Sequence, residues 1–217
     1  MSTRGGTLVI ETFAFDGGRG VTAFVPDKPA SAVIYAGDGQ LIAPWGQDLA
    51  AAGQTSIMIV GVHRSDDETL RLHEYSPRFD PDRFGAHEAF LLGDVRDWVR
   101  ARFGVNPPRD RTAIHGVSAG GELALALGLR HPDVFGAILC TSPGAGYRPP
   151  APMPAALPRT YLTAGTQEPF FLENAARWAT ALGDAGADVV MTEHDGVHGG
   201  DFWRTELPLM TGWAFGD

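Results

Sequence analysis

Lysine is nearly absent from this chain, Lys28 being the only one among 17 basic residues. That bias, with abundant alanine, glycine and proline, reads as coding preference and not as function. Cysteine is scarcer than any fold staple needs: Cys140 stands alone, which excludes an internal disulfide and a thiolate metal site. No apolar run approaches the roughly 18 residues of a membrane-crossing helix. Met1 to Gly18 lacks a charged region followed by a long apolar run, so no secretory leader is expected and the cytoplasm is the default location. There is no excess of positive charge: 26 acidic residues against 17 basic give a net charge of -9, which argues against a nucleic-acid partner. No G-x-x-x-x-G-K-[ST] occurs, and Gly37-x-Gly39 lacks the third glycine of a dinucleotide fingerprint. His194 and His198 are four apart, but Gly196 spoils a helix between them and no H-E-x-x-H is formed, so no metal is expected.

What remains is a chain of 217 residues, 44% apolar and 20% charged, enough for one domain over 1–217 with a sizeable core. Short apolar, β-branched runs alternate with helical patterns, which predicts an α/β fold on a largely parallel sheet. Thr7–Phe15 and Val21–Val25 flank a hairpin turn at Asp16-Gly17-Gly18-Arg19-Gly20. Ala32–Tyr35, Ser56–Val62, Thr112–Val117, Ala137–Thr141, Thr160–Ala164 and Asp188–His194 read as strands. Trp45–Ala52, Phe84–Phe103, Ala119–Arg130 and Phe170–Ala185 read as helices, with a closing helix from Phe202 to Trp213. His63 to Pro81 and the proline-rich Pro143 to Pro158 read as long loops.

The strongest local signal is Gly116-Val117-Ser118-Ala119-Gly120. It follows an apolar strand and opens a helix, the context that G-x-S-x-G needs to present an exposed nucleophile. The flanking glycines let strand and helix backbones approach, and the helix N-terminus lies beneath Ser118. A serine hydroxyl needs a base. His198, in the flexible Gly196-Val197-His198-Gly199-Gly200 after the last strand, is placed to swing over it. The acid expected to hold His198 in the right tautomer is Glu168, in the loop after Thr160–Ala164; Asp195 competes but lies only three residues from His198. An oxyanion needs donors. The backbone N–H of Ala119 is one, and that of Gln40, with Gly39 next, is the other. His115 reads as a packed or rim histidine.

With these pieces placed, the chain resembles the putative esterase family of α/β-hydrolases. The marks are Tyr35-Ala36-Gly37-Asp38-Gly39-Gln40, Arg71 to Pro77, Gly116 to Gly121, Ala164-Gly165-Thr166-Gln167-Glu168-Pro169 and Gly196 to Trp203. The pair A-G-x-x-E-P and G-x-H-x-x-x-x-W is similar to the catalytic domain of enterochelin (siderophore) esterases, and more distantly to esterase D. The resemblance implies Ser118 as nucleophile, His198 as base, Glu168 as third member, Gln40 in the oxyanion loop, a small-molecule ester as substrate and no cofactor. Gly37 departs from the family's bulky residue before Asp-Gly, and the resemblance to the enterochelin esterases covers their catalytic domain only, so their extra N-terminal domain is not expected here. From His63 to His87 four arginines face six acids, so this segment is no basic funnel for an anionic iron complex.

The expectation is therefore an α/β-hydrolase sheet of about eight strands with helices on both faces, acting as a serine carboxylic-ester hydrolase. Rival readings are a siderophore lactone esterase, an acyltransferase or thioesterase, and a silent ligand-binding scaffold; the oligomeric state stays open. Only 18 residues, Ser142 to Arg159, separate the two strands between which a cap would be inserted, and their prolines oppose helix, so no cap domain is expected. The cleft is then open, walled by His63–Pro81, and suited to short-chain or polar esters. Arg64, Arg71 and Glu74 are the substrate-binding candidates from that segment, with an Arg71–Glu74 pair as the alternative role for Arg71.

Overall fold

The computed structural model describes residues 2–216. Among the described residues, nine strands form one sheet: β1 Ser2–Thr3, β2 Gly6–Phe13, β3 Arg19–Pro26, β4 Ala32–Ala36, β5 Ile57–Val62, β6 Thr112–Val117, β7 Ala137–Thr141, β8 Arg159–Gly165 and β9 Val189–His194. Their order is β1-β2-β3-β5-β4-β6-β7-β8-β9. The first three are antiparallel, β3 joins β5 antiparallel, and the six from β5 to β9 run parallel.

Among the described residues nine α-helices accompany them: α1 Gly39–Ile42, α2 Gly46–Ala51, α3 Glu68–Tyr75, α4 Pro81–Phe90, α5 Arg96–Phe103, α6 Ala119–Arg130, α7 Pro169–Asp184, α8 Phe202–Thr205 and α9 Leu207–Phe215. Strands covered on both faces read as continuous apolar runs, and their alternation splits the core in two. Val33, Tyr35, Met58, Val60 and Ile114 pack under α3 to α7. Ala32, Ile34, Ile59 and Ala113 pack with Ile42 of α1, Leu49 of α2 and Met210 of α9. All the loops that follow the parallel strands consequently meet at one edge of the sheet, where the site lies.

Several boundaries differ from the sequence expectation. Arg19 already pairs with Phe13 across β2 and β3, so the hairpin turn closes before it, around a 3-10 turn at Phe15–Gly17. The helix expected over Trp45–Ala52 begins earlier, at Gly39, and is broken by a 3-10 turn at Ala43–Trp45. Pro44 has no N–H to continue the α ladder there. His63–Pro81 is no bare loop: Asp67 caps α3 by accepting from the N–H groups of Thr69 (2.8 Å) and Leu70 (3.2 Å). The long helix expected over Phe84–Phe103 runs from Pro81 to Phe103 through a π-type turn at Leu91–Val95. The expected closing helix is two, α8 and α9. Residues 142–158 contain no helix and no cap domain is present.

Candidate active site

Ser118 ends β6 and precedes α6 with φ 58° and ψ -124°, a conformation that a non-glycine residue adopts only when its surroundings hold it. Its N–H donates to Thr141 O (3.0 Å), and Gly121 N–H closes the turn onto Ser118 O (2.9 Å). A Cβ on Gly116 would lie 1.8 Å from Gly120 O, so only glycine permits this crossing of strand and helix.

His198 lies in the loop after β9, its Nε2 3.0 Å from Ser118 Oγ. Its Nδ1 donates to Glu168 Oε2 at 2.6 Å. Glu168, at the mouth of α7, is buried; its Oε1 accepts from Gly165 N–H (2.6 Å) and from Ser142 Oγ (2.5 Å). Phe171 stacks on the imidazole with ring centroids 3.6 Å apart, and Trp203 meets it edge-on at 4.8 Å. Asp195 is exposed and turned away, accepting from Gln167 Nε2 (2.7 Å) and Thr166 Oγ1 (3.4 Å). The structure thus brings Ser118, His198 and Glu168 into one hydrogen-bonded chain and leaves Asp195 outside it.

The loop after β4 supplies the other side. Asp38 sits in the left-handed region (φ 50°), and Gly39 and Gln40 open α1, where the first amides of a helix have no intrahelical partner. Ala119 is in the same position on α6. Gly39 is buried with its backbone against Gly61: a Cβ there would lie 2.0 Å from Gly61 O, so its side of the loop packs inward. Gln40 is exposed, and its side chain accepts from Arg64 N–H (3.2 Å).

Two substrate-binding candidates are corrected here. Arg71 is buried, its Nε and one terminal nitrogen gripping Asp38 at 2.8 and 2.9 Å, the other terminal nitrogen on Glu68 at 2.5 Å. Nor does it pair with Glu74. Glu74 is fully buried under β3 and α4, held by Arg19 at 2.8 Å through both oxygens and by Arg83 at 2.9 Å. Helix α3 turns both side chains inward, which reading the segment as a loop concealed. Burial pushes the Glu74 carboxyl up, but the Arg19 and Arg83 guanidinium groups outweigh it and hold it below the usual range. Arg64 alone of the three stays exposed. Tyr75, also fully buried, accepts the Asp38 N–H at 2.7 Å. His115 is packed, with Nδ1 on Leu139 O at 3.0 Å, and burial drives its pKa down to about 4.

Beside Ser118 opens a cleft of about 550 Å³ lined by Leu72, Phe79, Glu122, Phe170 and Phe171. Phe79 and Phe170 are half exposed at its mouth. Burial raises the Glu122 carboxyl, against the pull of the Gly146 N–H at 3.0 Å. Among the described residues no group of three or more His, Cys, Asp or Glu side chains is placed to hold a metal ion, and no helix is long and apolar enough to cross a membrane.

Residues 19–214 match the family described as putative esterase. The chain belongs to that family. Membership makes it a carboxylic ester hydrolase of α/β fold. Solved structures agree in fold. The enterobactin esterase of Shigella flexneri with enterobactin superposes with a TM-score of 0.78 at 22% identity, over 98% of this chain and 59% of that one. A ferulic acid esterase of Anaeromyces mucronatus with ferulic acid gives 0.76 at 16% identity, over 97% and 91%. An S-formylglutathione hydrolase of Staphylococcus aureus gives 0.74 at 13% identity, over 96% and 98%. No curated protein matches the sequence.

Ser142, Trp203 and Phe171 beside His198 and Glu168, and Asp38 with Tyr75 behind the loop after β4, carry no role in the sequence reading. Trp203 is the exception in signal, since the spacing from His198 marks it without saying what it does.

Proposed function

We propose that this esterase works through an acyl-enzyme, with Ser118 as nucleophile, His198 as general base and Glu168 as the residue that orients it. Ser118 Oγ attacks the ester carbonyl while its proton passes to His198 Nε2. The N–H groups of Gln40 and Ala119 receive the oxyanion. Collapse expels the alcohol, which takes the proton from His198. Water, deprotonated by the same imidazole, then releases the acid and restores Ser118. The observation that carries this is the unbroken chain from Ser118 to His198 (3.0 Å) to Glu168 (2.6 Å) at a strained strand-to-helix turn.

The substrate is an ester of a short or single-ring acyl group. Nothing encloses the cleft, so a long alkyl chain would stay wet and forgo about 0.8 kcal/mol per methylene. The three phenylalanines that line it support the ring, and ferulic acid esterases and an enterobactin esterase are among the neighbours of like fold. Two measurements test the reading. A fluorophosphonate should label Ser118 and no other residue. Across p-nitrophenyl esters, kcat/KM should fall from C4 to C12, and an aromatic acyl ester should match or exceed C4. Absence of labelling would refute the mechanism; a rise towards C12 would refute the open cleft.

A further inference from the structure

The loop that carries His198 is rich in glycine. It contains Gly196, Gly199 (φ 81°) and Gly200, and about a third of the imidazole surface is exposed. Contacts from outside the loop also hold the imidazole in place over Ser118. Phe171 covers one face of the ring. The other restraint is Trp203, whose indole does two things at once. Its ring stands perpendicular to the His198 ring with centroids 4.8 Å apart, and its Nε1–H donates to Ser142 Oγ at 2.9 Å. An indole N–H can only donate, so the Ser142 hydroxyl is the acceptor there, and its single proton is left for Glu168 Oε1 at 2.5 Å. With Oε1 taken by Ser142 and by Gly165 N–H, Oε2 is the oxygen turned to His198.

Ser142 is itself fixed. It is fully buried at the end of β7 with φ 48°, and its N–H donates to Thr163 O at 2.8 Å. Its neighbours hold the elbow: Thr141 O accepts the Ser118 N–H, and Gly144 N–H donates to Ser118 O at 3.3 Å. One short segment therefore touches the nucleophile through its backbone and the acid through a side chain.

We infer that Trp203 and Ser142 are positioning residues: the indole N–H, acting through the Ser142 hydroxyl, fixes the Glu168 carboxyl, while the perpendicular indole ring holds the imidazole. The inference rests on Ser118, His198 and Glu168 acting as proposed above. Neither residue touches the substrate. Their loss should lower kcat and leave KM nearly unchanged, because misplacement by a fraction of an ångström weakens the proton transfer without altering the cleft.

The experiment uses the full chain and four variants: Trp203→Phe, which keeps a ring but removes the N–H; Trp203→Leu, which removes both; Ser142→Ala; and Trp203→Phe with Ser142→Ala together. Trp203→Phe and Ser142→Ala should each lower kcat roughly tenfold, with KM within about twofold, and Trp203→Leu should cost several times more than Trp203→Phe. The double variant should be no slower than Ser142→Ala, since the N–H acts only through the hydroxyl. The low-field proton NMR signal of the His198–Glu168 hydrogen bond should broaden or move in Ser142→Ala. Unfolding midpoints establish that all are folded. The inference is overturned if kcat and that signal are unchanged in Trp203→Phe and Ser142→Ala, if their effects multiply in the double variant, or if activity falls only as the folded fraction falls. Fluorophosphonate labelling of the wild type separates the two levels: labelling at Ser118 with unaffected variants sinks this inference alone, whereas no labelling sinks the mechanism beneath it.

Discussion

Replacing Glu168 by glutamine tests the acid through a conflict that the geometry makes unavoidable. A glutamine has one carbonyl oxygen and one NH₂ where Glu168 has two acceptors. Gly165 N–H reaches Oε1 at 2.6 Å and, being backbone, cannot turn into an acceptor, so the amide oxygen must settle there. The NH₂ is then set against His198 Nδ1, at the place of a 2.6 Å bond. Two donors cannot share that contact. The imidazole must move its proton to Nε2, and a protonated Nε2 cannot accept from Ser118 Oγ. The Ser142 hydroxyl still donates to the oxygen at that place, so the fold survives. Loss of the correct tautomer costs on the order of 10² to 10⁴ in kcat, or about 3–5 kcal/mol of transition-state stabilisation. Asp195→Asn should stay within about twofold, because its exposed side chain receives only Gln167 and Thr166. Steady-state kinetics on p-nitrophenyl acetate, with unfolding midpoints as control, decide it. A larger loss in Asp195→Asn than in Glu168→Gln would refute the assignment. Equal and small losses would leave a Ser–His dyad.

Other outcomes follow from the same contacts. Ser118→Ala should lower kcat by on the order of 10⁴ or more and abolish fluorophosphonate labelling with the unfolding midpoint nearly unchanged; a tenth of the activity surviving would refute the nucleophile. Arg71→Met leaves the Asp38 carboxylate buried without its two-pronged partner, and denaturant unfolding should report a loss of about 3–5 kcal/mol. A loss under about 1 kcal/mol would mean that Tyr75 and the loop hold Asp38 unaided. His87 and His115 are fully buried, and desolvation lowers both to about 4 from an ordinary 6.5. Each is neutral when folded, so the stability tied to that neutrality is whole above pH 6.5. It is lost as the pH falls towards 4, by roughly 1.4 kcal/mol per pH unit for each histidine. Chemical denaturation at pH 7 and pH 5 should show this slope, and His115→Gln should reduce it; a flat profile would contradict the burial.

The hydrogen-bonded chain of the candidate site rests on local chemistry, and its members were legible in the sequence. A serine between small residues at a strand-to-helix turn, a histidine among glycines after the last strand and a glutamate after the strand before it each carry their reason in the adjacent residues. What was illegible depends on rotation. Arg71 and Glu74 lie three apart, and on a loop either could face the cleft. On α3, which Asp67 starts, both turn inward, to partners 33 and 55 residues away. No periodicity announces such distant ion pairs. Ser142 was hidden for the same reason. Its value lies in an indole 61 residues later. The break between α1 and α2 could have been read from Pro44. The start of α1 could not, because it depends on Gly39 pressing against Gly61 across two strands.

The backbone conformations show how these supports relate to one another. Among the described residues, four that are not glycine have positive φ, and three of them, Asp38, Ser118 and Ser142, are the loop positions just beyond β4, β6 and β7. Those strands are neighbours in the sheet. Strain of roughly 1–3 kcal/mol per residue is therefore concentrated along one short stretch of one sheet edge. Each case is held by bonds that a relaxed conformer would break. Asp38 is held by Arg71 and Tyr75, Ser118 by Thr141 O, and Ser142 by Thr163 O, Trp203 and Glu168. In the mechanism proposed above the three would do different work: one aims an amide, one exposes a hydroxyl, one fixes a carboxylate. A helix or strand continued through any of them would be more stable locally and would carry that group away from the others. The esterase site is thus the place where the chain forgoes its best local conformation at three adjacent strand ends, and the buried ion pair and hydrogen bonds behind them offset that cost.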